Sequence, residues 1–290
     1  MILNLVLLLT SLIPFDGVAG YAALNLDTGH HVAERGDERF PMGSVFKFPT
    51  AIALMRRVDA GEFKLDQSIT ITPDEFSLGY SPIRDNAHGE PVTMTLRELL
   101  ESMLGVSDNT AADKILAMIG GPQYVTKVIR DLGIKDIRVD RNERTLCTES
   151  LKDMLAYSRD PRDTATPNAM IELLRIFYLR KDKLKPASHD LMMKIMENTK
   201  TGPNRIRAAV PAGSVVAHKT GQMPGTLNDA AIVTSPDGKH HIAIVVFTKG
   251  SKIEDVEERD EMIRRNVREM WARVVAPSVS EGPGRRAARP

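Results

Sequence analysis

Ser44 and Lys47 stand three residues apart at the head of an apolar pattern with helical spacing, and on a helix residues i and i+3 share a face. A serine hydroxyl becomes a competent nucleophile when a neighbouring base takes its proton, and a lysine whose charge is suppressed by its surroundings is such a base. Alone the pair says little. A chain of 290 residues carries roughly one Ser-x-x-Lys by chance at average composition, and the plain reading is a helix-capping serine with a surface lysine. Two further elements follow in order, Ser107-Asp108-Asn109 and a Lys-Thr-Gly, and the latter occurs twice. Lys200-Thr201-Gly202 follows a predicted helix and precedes Pro203, as a helix end with its capping glycine does. Lys219-Thr220-Gly221 ends the β-rich run 214–218, where a strand can face lysine and threonine into a cleft while glycine lets another backbone approach. The later copy is therefore read as the chemical one.

The elements that must position these groups follow from periodicity. A strand over 19–25, a turn at Asp27-Thr28-Gly29 and a second strand over 31–33 form an early hairpin. Residues 45–60 have helical spacing, with Pro49 tolerable in the first turn. Thr95 and Glu98 make a capping box for a helix to about 104; further helices are predicted over 110–119, 123–132 with Gly133 after its end, 167–179 behind Thr166, and 189–198. Strands follow over 214–218, 229–234 and 241–249, the last two joined by Pro236-Asp237-Gly238. A closing helix over 254–274 puts Ile263, Val267, Met270 or Trp271, and Val274 on one face, to cover the sheet. Strands at both ends and helices between predict one sheet built from both ends of the chain beside a helical lobe. The cleft between them is where a site belongs.

Composition narrows the function classes. With 42% hydrophobic and 27% charged residues and a net charge of +1, the chain reads as soluble, and its scattered charges offer no basic stripe for nucleic acid. Cys147 is the single cysteine, so no internal disulfide forms. The histidine pairs His30-His31 and His240-His241 point to opposite faces of a strand, and no His-Glu-x-x-His occurs, so no metal site is expected. Residues 1–13 (MILNLVLLLTSLI) are apolar but too short to span a bilayer; they read as a degenerate or truncated export signal or as a buried first helix. Residues 277–290, rich in Pro, Gly and Arg, read as a disordered tail.

The three elements in this order resemble the signature of the class A serine β-lactamases, which is shared with penicillin-binding proteins. The resemblance runs from about Gly20 to Trp271. It includes Arg39-Phe40-Pro41-Met42-Gly43 before Ser44, Tyr80-Ser81-Pro82, and Arg205-Ile206-Arg207-Ala208-Ala209-Val210-Pro211 before the third element. It implies a two-lobed α/β fold, an antiparallel sheet flanked by terminal helices (18–42 and 203–276) beside an all-helical domain (43–202). It also implies hydrolysis of penicillin- and cephalosporin-type antibiotics without a cofactor, in a protein that is periplasmic or secreted; a monomer is expected. The stretch 138–146 resembles the family loop that carries the deacylating base, which would be Glu143 rather than a residue of a solvated charged turn. Arg141 and Asp163 resemble the ion pair that closes that loop.

By the same resemblance Ser44 attacks the lactam carbonyl, and Lys47, or Glu143 through a water, takes its proton. The backbone amides of Ser44 and Gln222 form the oxyanion hole. Ser107 relays a proton to the leaving nitrogen, Asn109 binds the substrate's amide, Lys219, Thr220 and Arg205 receive its carboxylate, and Tyr80 walls the cleft. The plain alternatives are helix caps for Ser107 and Asn109, a half-buried core position for Tyr80 and a surface ion pair for Arg205. Two departures from the family stand out. Cys147 occupies the place of an asparagine that helps hold the deacylating water, and the stretch 147–163 is longer than is common. The first keeps open a sensor that is acylated without release. A D-alanyl-D-alanine peptidase or esterase on the same scaffold is the other alternative.

Overall fold

The computed structural model describes residues 17–253 and 255–276; the apolar start, apart from Gly17, and the Pro/Gly/Arg-rich end lie outside the described residues. Its strands are β1 (Val18–Asn25), β2 (His31–Glu34), β3 (Phe40–Pro41), β4 (Ser68–Ile71), β5 (Val92–Thr95), β6 (Thr164–Ala165), β7 (Val215–Met223), β8 (Thr226–Thr234) and β9 (His241–Lys249). Five form one antiparallel sheet in the order β2-β1-β9-β8-β7, so the two ends of the chain meet at its centre, where β1 pairs with β9. β3 pairs with β6, and β4 with β5.

Successive strand residues face opposite sides, and both sides of this sheet are covered. Ala243, Val245 and Phe247 of β9 join the core shared with the helical lobe, whereas Ile242, Ile244 and Val246 join a second core with Ile263, Val267, Met270 and Val274. Those last four come from the closing helix Val256–Val275, whose start is capped by Asp255. At the centre of the helical lobe lies the helix Lys47–Asp59, buried at every residue from Lys47 to Met55. The predicted capping box is present: Thr95 Oγ1 accepts from Glu98 N at 3.2 Å, and Thr95 N donates to Glu98 Oε2 at 2.7 Å.

Two predicted boundaries are corrected. The strands expected over 214–218 and 229–234 are β7 and β8, a longer hairpin that turns at Pro224-Gly225 and carries Lys219-Thr220-Gly221 inside its first strand. Their polar residues masked the strand pattern. The stretch expected to be loop after Asn142 folds as two helices, Glu143–Lys152 and Met154–Arg159, the first capped by Asn142 and the second by Asp153.

Candidate active site

Ser44 lies in the 3-10 turn Gly43–Phe46 that leads into the central helix. Its Oγ donates to Glu143 Oε1 at 3.1 Å. Lys47 is not a surface lysine: it is fully buried, its Nζ donating to Ser107 O and Asn109 Oδ1, both at 2.7 Å, and lying 2.9 Å from Glu143 Oε1. A buried ammonium is tolerated only with such acceptors and a counter-charge.

Ser107 turns the chain between the helices Leu96–Gly105 and Asn109–Met118 with φ at 66°, a left-handed backbone that costs energy for a non-glycine residue. That turn puts its hydroxyl between two lysines, accepting from Lys219 Nζ at 2.9 Å and Lys47 Nζ at 3.3 Å. With both acceptor positions filled, the serine's own proton is free to be donated elsewhere. Asp108, not Ser107 or Asn109, caps the following helix, accepting from Ala111 N at 2.9 Å. Asn109 Nδ2 donates to Leu78 O at 2.9 Å.

Lys219 is fully buried on β7 and also donates to Thr220 O at 2.7 Å. Burial, reinforced by the charge of Lys47, holds its ammonium well below the usual lysine value. β7 runs against the nucleophile turn so closely that a Cβ on Gly221 would stand 2.4 Å from Met42 O and 3.2 Å from Ser44 N, and one on Gly43 3.3 Å from Gln222 N. The glycines therefore let the amides of Ser44 and Gln222 converge. Asn228 of β8 locks this approach, donating to Pro41 O at 2.8 Å and Met42 O at 3.0 Å.

Glu143, 1% exposed, is the first residue of its helix. Asp113 holds that turn: its carboxylate accepts from Glu143 N at 2.6 Å, Arg144 N at 3.1 Å and Ser77 Oγ at 2.8 Å, and burial pushes its carboxyl above the usual range. Arg141 Nε donates to Asp163 Oδ2 at 2.6 Å, and its Nη1 reaches both Glu149 and Asp160. Asp163 in turn accepts the backbone amides of Asp140 and Arg141 at 2.7 and 3.0 Å. Cys147, one turn after Glu143, is buried with its Sγ 3.7 Å from Asn109 Nδ2 and 3.8 Å from Leu78 O. Burial, then the charge of Glu143, push its thiol up to about 11.

Arg205 is 5% exposed, and four of its five N–H groups are committed: Nε to Asp260 Oδ1 at 3.1 Å, Nη1 to Asn228 O at 3.1 Å and Gly221 O at 3.4 Å, and one of Nη2 to Gln222 Oε1 at 3.0 Å. Tyr80 is 58% exposed at the rim, neither core nor half-buried. Ser44, Tyr80, Ser107, Asn109, Glu143 and Arg205 line a cleft of about 1020 Å³ between the lobes, with Lys47 and Lys219 beneath its surface.

Residues 8–274 match the profile of the "Beta-lactamase enzyme family". Toho-1 of Escherichia coli, a β-lactamase, is 35% identical over 261 residues, covering 89% of this chain and 83% of that protein. The chain belongs to the class A β-lactamases. VEB-1 of Pseudomonas aeruginosa, also a β-lactamase, is 33% identical over 241 residues, covering 80% of this chain and 78% of that one. Among solved structures, a β-lactamase from Chitinophaga pinensis DSM 2588 superposes with a TM-score of 0.80 at 38% identity, covering 89% of this chain and 94% of the other. The class A β-lactamase of the last common ancestor of Gram-negative bacteria also gives 0.80 at 38% identity, with 89% and 94% covered. The two-lobed fold and β-lactam hydrolysis go with that membership.

The expected residues of this β-lactamase converge on one cleft, but two expectations change. Arg205 pairs with a buried acid rather than a surface one, and it presents no free hydrogen-bonding fork to a ligand. The earlier Lys-Thr-Gly, read as a mere helix end, also reaches the site. Thr201 Oγ1 lies 2.6 Å from Thr220 Oγ1, and a Cβ on Gly202 would stand 2.5 Å from Thr220 Cγ2. Thr201 and Gly202 were missed, although their tripeptide was itself the signal. Asp113 had none, because its bond to Glu143 spans 30 residues.

Proposed function

We propose that this β-lactamase works through an acyl-enzyme on Ser44, with Glu143 as the base of both half-reactions. The observation that carries this is the direct contact of Ser44 Oγ with the Glu143 carboxylate at 3.1 Å, while the Lys47 protons are committed to Ser107, Asn109 and Glu143. As Ser44 Oγ bonds to the lactam carbonyl carbon, its proton passes to Glu143, and the developing oxyanion is held by the amides of Ser44 and Gln222. The C–N bond then breaks with the Ser107 proton passing to the ring nitrogen; Lys47, 3.3 Å away, replaces it and takes back a proton from Glu143, 2.9 Å from its Nζ, so that Glu143 is a carboxylate again. In the second half-reaction Glu143 takes a proton from water, which attacks the ester carbonyl and returns Ser44 to its hydroxyl form.

Thr220 and Lys219 meet the substrate carboxylate. Arg205 contributes positive charge behind them and holds Gln222 in place, in keeping with its filled hydrogen bonds. Asn109 offers to the substrate's amide carbonyl the Nδ2 proton that makes only a 3.7 Å contact with Cys147 Sγ, and Tyr80 walls the rim. We assign 18–42 and 203–276 to the sheet domain and 43–202 to the helical domain, with the loop 138–163 at the cleft floor. The family supports a monomer that acts in the periplasm or outside the cell, on a small-molecule substrate and with no nucleic acid.

The weak contacts of Cys147 favour one second reading, a sensor that stays acylated. Intact-mass measurement with a chromogenic cephalosporin separates the two. Hydrolysis predicts many turnovers and return to native mass, no adduct in Ser44→Ala, and a persistent adduct in Glu143→Gln with release slowed by about 10²–10⁴-fold. A lasting adduct on the unmodified enzyme without turnover would establish the sensor instead.

A further inference from the structure

His218, Thr220 and Gln222 alternate onto one face of β7. Thr220 and Gln222 belong to the proposed carboxylate and oxyanion sites, and His218 has no part in either. It is fully buried, with its Nδ1 3.0 Å from Asp229 Oδ1 and 3.2 Å from Asp229 Oδ2. Because that nitrogen faces only carboxylate oxygens, it carries a proton and donates. Nε2 is buried with no hydrogen-bond partner among the described residues, which costs free energy. A leucine would fill similar space without that cost, so the bond to Asp229 is what distinguishes histidine at this position.

Asp229, on β8 and also fully buried, stands opposite Thr220 in the strand pairing. Its Oδ2 accepts from Ile206 N at 3.2 Å, which ties the start of the short helix Ile206–Ala209 to the sheet. Arg205 immediately precedes that amide. From this anchor its guanidinium reaches Asn228 O, Gly221 O and Gln222 Oε1. The approach of His218 Nδ1 to both carboxylate oxygens fixes the rotation of the Asp229 carboxylate, and with it the oxygen offered to Ile206. His218 is thus joined to Arg205 by two hydrogen bonds and one peptide unit.

We propose that His218 is a positioning residue for binding of the substrate carboxylate: by orienting Asp229 toward the Ile206 amide, it holds Arg205 behind Thr220 and Gln222. The inference rests on Lys219, Thr220 and Arg205 receiving that carboxylate, and it extends their site to a residue that touches no ligand. Without the ring, the Asp229 carboxylate is free to rotate off the Ile206 amide, and the backbone from which the Arg205 side chain starts is no longer fixed. The loss falls on a substrate that carries the anion, because a neutral one gains little from the guanidinium.

The test compares kcat/KM for one cephalosporin offered as its free carboxylate and as its methyl ester. His218→Leu should lower the ratio, carboxylate over ester, by about tenfold, the scale of one hydrogen bond to a charged group. His218→Asn, whose amide nitrogen is likewise bonded to Cγ and can donate to Asp229, should keep most of the ratio. Asp229→Asn, which has one carbonyl oxygen where the carboxylate offers two, should lower it as leucine does, and it decides the matter where His218→Leu does not fold. A purely structural role would lower stability and slow both substrates together, leaving the ratio fixed. An unchanged ratio in His218→Leu or in Asp229→Asn overturns the proposal, as does an asparagine at 218 that restores nothing over leucine. A parent enzyme that hydrolyses acid and ester equally would instead remove the carboxylate site on which the proposal rests.

Discussion

Cys147 offers the cleft only long sulfur contacts, 3.7 Å to Asn109 Nδ2 and 3.8 Å to Leu78 O, where an amide would donate and accept near 2.9 Å. A water beside Glu143 is therefore held by fewer strong partners. Cys147→Asn should speed deacylation by roughly tenfold, the worth of about one good hydrogen bond, measured as decay of the acyl-enzyme in single-turnover kinetics. An unchanged rate would mean that the loop backbone holds the water by itself. Lys219 gives a pH prediction. Burial and the charge of Lys47 lower its pKa, so its charge is lost at lower pH than that of an ordinary lysine. KM should therefore rise, through weaker binding of the substrate carboxylate, on an alkaline limb below the usual 10.5. The linkage has the matching sign: the unfolded chain holds this proton more tightly, so the group's contribution to stability falls as pH drops from the unfolded value to the folded one and is level below it. A KM limb at or above the ordinary lysine value would remove Lys219 from the carboxylate site.

The element that carries Glu143 is held at both ends, by Asp113 under its first turn and by the Arg141–Asp163 pair at the base of the loop. Arg141→Ala would leave Asp163, buried and already bonded to two backbone amides, without its counter-charge. Breaking such a pair costs about 3–5 kcal/mol. Unfolding in denaturant should show that loss, and intact-mass kinetics should show deacylation slowed more than acylation, because Ser44 and Lys47 sit on a different element. Equal slowing of both steps would mean that the loop also shapes acylation. The ion pair was legible because its charges stand in register with the three short elements, but the helix Glu143–Lys152 was not. Its sequence, ERTLCTESLK, has no apolar stripe, and Leu151 faces outward. It is helical because Asn142 and Asp113 satisfy its first amides; Asn142 is a local cap, but Asp113 is a tertiary partner with no local mark. The β7–β8 hairpin was under-read for a related reason. Lys219, Thr220 and Asn228 are polar and fall outside the predicted strands, yet all three are buried, with partners Ser107, Thr201 and Thr248. Thr201 was set aside because Pro203 and the helix end dominate its neighbourhood, whereas its partner lies 19 residues away.

Across the whole molecule, the proposed catalysis depends on the sheet holding the start of the central helix, because the amides proposed for the oxyanion come from different lobes: Ser44 from the turn and Gln222 from β7. Asn228 is the clamp between them. Fully buried, it donates to Pro41 O and Met42 O while its Oδ1 accepts from Thr248 N at 2.9 Å. Asn228→Ala removes a partner from each of these three backbone groups, although Met42 O still accepts from Val45 N at 3.3 Å, at about 1–3 kcal/mol for each one left unsatisfied where water cannot reach. The Tm should fall by several degrees, and acylation should slow because Met42 is no longer held beside Gly221. Loss of stability alone could also lower activity, so Ile263→Ala provides the comparison. Ile263 is fully buried on the inner face of the closing helix, on the side of the sheet away from the helical lobe, and its truncation costs about 2–5 kcal/mol through the cavity it leaves. If the sheet positions the nucleophile through Asn228, the two variants will melt at similar temperatures, but only Asn228→Ala will acylate slowly well below its Tm. Equal acylation rates in the two would show that packing of the lobes, without the clamp, is enough to bring the Ser44 and Gln222 amides together.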